Sequence, residues 1–361
     1  MAGYQLPFNP SGSFTVPEAR TSLPSSHRLV GELPPQTAGG LAGIFHRANI
    51  LADLGAIEQR LLECTQSRVA VISAAGMHTV RSGGKRLRAA LAVLAARLGH
   101  YQLERVIHPA AAAELIHAAS LVHDDLVDRA NRRRGQITVH ARWDNDVALM
   151  VGDYFFALAA AEMARSPDPR IITFYAEAVQ TICEGELSPV TVAEPFDKAL
   201  RQYLYKTGAK TAVLFEAACK AGMVAGGGSD EEIAALGSYG YDLGMAFQII
   251  DDVLDFIGDE RTLGKPAGND LRQGTITLPL IYATAASPSQ VLRDVLMHTP
   301  PSDTLVAEVI REVINVGGVA AAQTEAARYI DQAVSHLERF PSSPARQALI
   351  DIAHFVLERS V

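Results

Sequence analysis

Only three cysteines occur in the 361 residues, Cys64, Cys183 and Cys219. They lie far apart and none belongs to a CxxC pair, which excludes a disulfide framework and a cysteine-based zinc site and fits a reducing compartment. An excess of positive charge is also missing. The formal net charge is -8, so the chain lacks the cationic surface on which a general nucleic-acid binder depends, and no nucleic-acid partner is expected. No apolar run reaches eighteen residues, because Arg88, Arg97, Asp153 and Glu162 interrupt the most hydrophobic stretches, and no transmembrane segment is expected. The N-terminus has no basic segment leading into an apolar stretch, and a cytoplasmic protein is expected. Strand-like alternation is scarce throughout.

What is present is a folded composition, 48% hydrophobic and 20% charged. Residues 1 to 40, rich in Pro, Gly and Ser, read as a flexible or loosely docked extension. From residue 41 to 361 Ala, Leu and Val recur at helical spacing, broken by Ser82-Gly83-Gly84, Pro109, Pro167 to Pro169, Pro189, Gly226 to Gly228, Gly264 to Gly268 and Pro300-Pro301. The pattern predicts one all-α domain, a single large helical bundle. Ala110 to Val122 and Val147 to Ala161 are nearly apolar all round and are expected at its centre.

Two acidic pentads stand inside these apolar surroundings, Asp124-Asp125-Leu126-Val127-Asp128 and Asp251-Asp252-Val253-Leu254-Asp255. On a helix, positions i and i+4 share a face about 6 Å apart along the axis, so Asp124 should project with Asp128 and Asp251 with Asp255. Carboxylates near a core are costly unless compensated. Hard oxygen donors in this arrangement suit magnesium, which keeps waters and shares its coordination with substrate phosphates. One such pentad could be a solvated face; two, each preceded by apolar sequence, point to a site. A zinc site through His117 and His123 lacks a third nitrogen or sulfur ligand.

A phosphorylated substrate requires cations nearby. Gly83-Gly84-Lys85-Arg86-Leu87-Arg88 opens a helix, where glycines admit an anion to the backbone and the helix N-terminus favours negative charge. It is not a Walker A loop. Arg132-Arg133-Arg134 follows the first pentad, Lys206 and Lys210-Thr211 lie on another helix, and Lys265 comes shortly after the second pentad. Each string alone would read as a basic turn or surface, but the combination is specific.

These residues resemble the polyprenyl synthetase family, the trans-type prenyl diphosphate synthases, strongly over residues 45 to 285 and most like the medium- and long-chain members. The resemblance implies the isoprenoid synthase bundle with a central substrate cavity. It also implies a magnesium-dependent prenyltransferase joining isopentenyl diphosphate to an allylic diphosphate (geranyl, farnesyl or geranylgeranyl), with three magnesium ions held through Asp124, Asp125, Asp128, Asp251, Asp252 and Asp255. Lys85, Arg88, His117 and Arg134 match the isopentenyl diphosphate site, and Arg133, Lys210, Thr211, Gln248 and Lys265 the allylic side, with Thr211 and Gln248 stabilising the cation. A homodimer is implied, as is peripheral membrane contact for release of a greasy product. Gly152-Asp153 and Gly185-Glu186 follow the family pattern. Ala89 stands where the family usually has proline, Gln136-Ile137 precede Thr138 where proline is commoner, and Pro189 and Thr275 replace the usual glutamine and lysine.

Small side chains at Ala119 and Ser120, below the first pentad, predict an open tunnel and a product above twenty carbons, about 30 to 50; Ala119→Phe should shorten it. Phe155 and Phe156 are candidate floors, or ordinary core aromatics. The alternatives are a geranylgeranyl diphosphate synthase, a class I terpene cyclase, which typically lacks the second pentad and the GGKxxR segment, or a catalytic subunit that needs a partner.

Overall fold

A computed structural model describes residues 40–188, 190–258, 267–297 and 300–359. The N-terminal segment expected to be an extension therefore lies almost wholly outside the described residues, as do Pro189 and Lys265. The elements are α1 Gly40–Arg47, α2 Leu51–Cys64, α3 Ala70–Arg81, α4 Leu87–Ala96 and α5 Leu103–Val127, then a short antiparallel hairpin, β1 Arg132–Arg133 and β2 Gln136–Ile137. There follow α6 Val139–Arg142, α7 Asn145–Met163, α8 Arg170–Glu186, α9 Phe196–Thr207, a π-helical turn at Gly208–Ala212, α10 Val213–Ala225 and α11 Asp230–Ile257. The chain closes with α12 Asn269–Arg272, α13 Leu278–Ala286, α14 Gln290–Met297, α15 Asp303–Asn315, α16 Gly318–His336 and α17 Pro344–Glu358. The all-α bundle read from the sequence is the architecture found.

Helices α4, α5, α10 and α11 form the centre, packed on one another, while α7 lies along α5 and α16 along α11. Every residue of α4 except Arg88 is buried, which its run of Ala, Leu and Val dictates. Helix α11 starts where the sequence supplies a capping box, Ser229 accepting from the Glu232 N–H and Glu232 accepting from the Ser229 N–H. Small residues let α4 and α10 approach backbone to backbone. A Cβ added at Gly222 would sit 2.2 Å from the Ala92 carbonyl oxygen. Gly222→Ala is accordingly expected to cost about 1–3 kcal/mol through forced separation of the two helices, read as a lower Tm in a thermal melt; an unchanged Tm would contradict that packing.

The centrality expected of Ala110 to Val122 holds at its first half, since Ala110 to Ile116 are all buried. It fails in part for Val147 to Ala161. Ala148, Val151, Phe155 and Ala159 are buried, but Leu149, Met150, Ala157, Ala160 and Ala161 are exposed, because only one face of α7 has α5 to pack against.

Candidate active site

The bundle encloses a cavity of about 920 Å³. Its mouth is lined by the end of α5, the GGKRLR turn, the arginine hairpin, the π-turn and the second pentad; its depth is lined by Leu115, Ala118, Leu121, Val122, Phe156, Ile182, Leu214, Phe215 and Phe247. Polar groups thus converge at one end of an apolar space, the usual organisation of a small-molecule site.

On the acidic side, Asp124, Asp125, Asp128 and Asp251 line the cavity. Burial holds the Asp124 carboxyl above the ordinary carboxylate range, opposed by Lys210, whose Nζ is 3.7 Å away. Asp125 is also raised by burial and accepts a hydrogen bond from Arg133 Nε at 2.7 Å. Asp251 meets Arg359 at 2.9 Å. The second pentad does not present all its carboxylates as the spacing suggested. Asp252 is buried, accepts from the Tyr203 hydroxyl at 2.6 Å and from Gln248 Nε2 at 2.9 Å, and is pushed up to about 8, chiefly by burial. Asp255 is buried one turn beyond Asp251, where it accepts the backbone N–H of Asp270 at 3.0 Å. A helix face fixes direction only relative to the axis, and here the backbone of α12 takes that carboxylate.

The cationic side gathers Lys85, Arg88, His117 and Arg134 on one wall, as the sequence implied. Arg88 is half-buried on the cavity wall, its guanidinium 4.7 Å from the centre of the Phe215 ring and its Nε without a hydrogen-bond partner among the described residues; burial lowers it to about 10. Burial and the surrounding arginines hold His117 well below its usual value, so its ring is neutral. Burial, reinforced by Arg359, also lowers Lys85. Arg134 donates to the Gly83 carbonyl, tying the hairpin to the GGKRLR turn. Three or more cations facing a cavity without equal counter-charge make a seat for a polyanion.

Lys210 and Thr211 sit on the π-turn, an insertion that re-aims side chains and is frequent at functional sites. Lys210 pairs with Glu186 at 2.8 Å, and Thr211 Oγ1 donates to Gln248 Oε1 at 2.9 Å. A hydrogen-bonded chain therefore runs Thr211, Gln248, Asp252, Tyr203. Gly152 makes room for the ring of His123, which a Cβ there would overlap at 2.1 Å from Nε2.

Ser120 lines the cavity, whereas Ala119 is fully buried behind the wall. Phe156 also lines it, and Phe155 is a core aromatic. Sequence reading missed Arg359, Tyr203 and Glu114. Arg359 and Tyr203 reach the site from elements remote in sequence, whereas Glu114 lies on α5 itself, where nothing local marks it apart from a buried acid in an apolar stretch. Ala89, where proline was expected, donates its backbone N–H to Glu114 at 3.1 Å, a bond proline cannot make.

The donor set suits a hard divalent cation. Asp124, Asp128 and Asp251 offer oxygen ligands whose charge the neighbouring cations only partly offset. Among the described residues, no three His, Cys, Asp or Glu side chains converge into a protein-only cage.

A family profile described as polyprenyl synthetase matches residues 69–313. The chain is similar to heptaprenyl diphosphate synthase component 2 of Geobacillus stearothermophilus, 40% identical over 308 residues that span 85% of this chain and 96% of that protein. It is 35% identical to octaprenyl diphosphate synthase of Escherichia coli strain K12 over 311 residues, 85% of this chain and 96% of that one. A crystal structure of polyprenyl synthase from Caulobacter crescentus CB15, complexed with calcium and isoprenyl diphosphate, superposes with a TM-score of 0.83 at 35% identity, covering 91% of this chain and 100% of that one.

Proposed function

The chain belongs to the polyprenyl synthetase family, and from that premise we propose that it is a long-chain trans-prenyltransferase, extending an allylic diphosphate with isopentenyl diphosphate to an all-trans product above twenty carbons. The observation that carries the reading is the division of one cavity into three zones, a carboxylate mouth, a cationic wall and an apolar depth. A product length above twenty carbons is supported by the heptaprenyl and octaprenyl names of the relatives and by Ala118 and Ser120 on the cavity wall, where small side chains leave the depth open. The same names make a geranylgeranyl diphosphate synthase the less favoured alternative.

Asp124, Asp128 and Asp251 would hold magnesium, with three ions by family likeness. Bound there, the metal supplies charge neutralisation to a departing diphosphate. Asp125 acts through Arg133, and Asp252 and Asp255 act from behind, by fixing Gln248 and the backbone of Asp270. Lys210, Arg133 and Lys265 stabilise the diphosphate as the allylic C–O bond breaks. Thr211 and Gln248 present oxygen dipoles, oriented by Asp252 and Tyr203, to the allylic cation. The apolar walls exclude the water that would quench it. Lys85, Arg88, Arg134 and the neutral His117 hold the second diphosphate so that the π electrons of isopentenyl diphosphate attack the cation. Loss of a proton to the released diphosphate completes the new double bond.

The uncovered apolar residues of α7, with Ile172 of α8 and Leu187 just past its end, support a homodimer. They also suit the second reading, a catalytic subunit with a partner chain, which the component-2 name of one relative favours. Among the described residues no helix is long and apolar enough to cross a membrane. We place the enzyme in the cytoplasm, with product leaving through peripheral membrane contact.

The test is an incubation with labelled isopentenyl diphosphate, farnesyl diphosphate and magnesium, with extracted products sized by chromatography. Products of thirty or more carbons, abolished by a chelator and restored by added magnesium, are expected. A single product of twenty carbons would leave the enzyme class and overturn the chain length; chelator-resistant activity would overturn the metal assignment.

A further inference from the structure

The middle arginine of the GGKRLR turn, Arg86, lines the cavity between Lys85 and Arg88 but commits its guanidinium to protein groups. Arg86 has a left-handed backbone, φ 47°, although it is not glycine, and no side chain of its own caps α4. Such a conformation persists only where surrounding contacts over-determine it. Those contacts are present. Arg86 donates to both carboxylate oxygens of Glu58 on α2, at 2.6 and 2.9 Å, and to the Val80 carbonyl at 2.7 Å. Its remaining nitrogen lies 3.7 Å from Glu114, whose other oxygen takes the Ala89 N–H in the first turn of α4. The fork-to-fork pair with Glu58 fixes orientation as well as position. With its guanidinium held on Glu58 and Val80, Arg86 anchors the start of α4, where Lys85 and Arg88 line the cavity beside it.

We infer that Arg86 and Glu58 are positioning residues for the second diphosphate: the Glu58–Arg86 pair sets where Lys85 and Arg88 meet isopentenyl diphosphate. The inference rests on the substrate reading given above. Helix α4 carries an internal control, because its other end is tied to the same α2 by an equivalent pair, Arg97 to Asp53 at 2.5 Å, remote from the cavity. Removing either pair should cost stability, but only the Glu58 pair should move substrate binding.

The experiment compares Glu58→Ala, Asp53→Ala, Arg86→Lys and the Glu58→Ala/Arg86→Lys double variant, in the full chain with magnesium and farnesyl diphosphate. Glu58→Ala is expected to raise the KM for isopentenyl diphosphate roughly 10- to 100-fold while kcat and the KM for farnesyl diphosphate stay unchanged, the scale set by modest misplacement of a binding group. Arg86→Lys should do the same, since lysine keeps the charge but not the fork, and the double variant should add little to either single change. Asp53→Ala should lower Tm without moving that KM. Equal KM shifts in Glu58→Ala and Asp53→Ala, or a proportional loss in both substrates and kcat, would reduce the pair to a structural role and overturn the inference. If Glu58→Ala does not fold, Arg86→Lys decides by the same readouts. Wild-type protein that extends the primer while Glu58→Ala keeps its KM sinks this inference alone; wild-type protein that neither binds nor uses isopentenyl diphosphate sinks it together with the substrate reading.

Discussion

Asp124→Asn lowers kcat by roughly three orders of magnitude, about 4 kcal/mol of transition-state stabilisation, while the metal-free protein becomes more stable, not less. The two halves of this expectation have one cause. Asp124 faces the cavity with Asp128 and Glu186 adding negative charge, and its pKa is raised mainly by burial. A carboxyl raised in the folded state binds more protons there than in the unfolded chain. Its contribution to stability is therefore full below the unfolded pKa and is lost as pH rises through the folded one, so near neutral pH the bare carboxylate opposes folding. Asparagine keeps the shape and removes that opposition, along with the charge that would bind magnesium. Steady-state kinetics with a magnesium titration, beside thermal melts in chelator at neutral pH, measures both. A variant with near-wild-type kcat would remove Asp124 from the metal site; a fall in Tm would mean that its pairing with Lys210 outweighs its burial.

Ser120→Phe has the second largest effect, a shift of the whole product distribution to shorter chains rather than a change in rate. Ser120 lies one helical turn below Asp124 on the cavity wall, its hydroxyl returned to the Ile116 carbonyl at 3.1 Å. A benzyl group there projects into the space between α5 and the ring of Phe156, closing the depth to a growing apolar chain. Ala119→Phe, the change suggested by the sequence alone, tests the same tunnel less directly. Ala119 is fully buried, so its ring must displace packed neighbours before it reaches the cavity. Product sizing after incubation with isopentenyl and farnesyl diphosphates distinguishes these outcomes. Unchanged product length in Ser120→Phe would place the limit of chain growth elsewhere.

Much of the fold was legible because helical periodicity is a local property, and the two pentads and the GGKRLR turn stand out by composition. Less was legible where contacts between distant segments decide. The spacing of Asp251 and Asp255 showed a shared helix face but not that the backbone of Asp270 would claim Asp255. Nothing near Asp252 announces that Tyr203, 49 residues earlier, donates to it. The π-turn under Lys210 inserts a residue into an otherwise ordinary helical pattern, which leaves the apolar period intact on both sides. Arg359 reaches Asp251 from beyond α17, a pairing of segments far apart in sequence that no periodicity encodes.

The bare backbone seam between α4 and α10 has a consequence for ligand capture. A helix held carbonyl-to-glycine along its length cannot roll or slide without separating two main chains. Arg88, in the first turn of that helix, is therefore carried by a rod whose place is settled when the chain folds. The entropy of bringing its charge into the pocket is lost once, during folding, and not again at each encounter with an anion. Affinity at that wall is then limited by stripping water from the guanidinium and from the diphosphate, not by searching for a geometry.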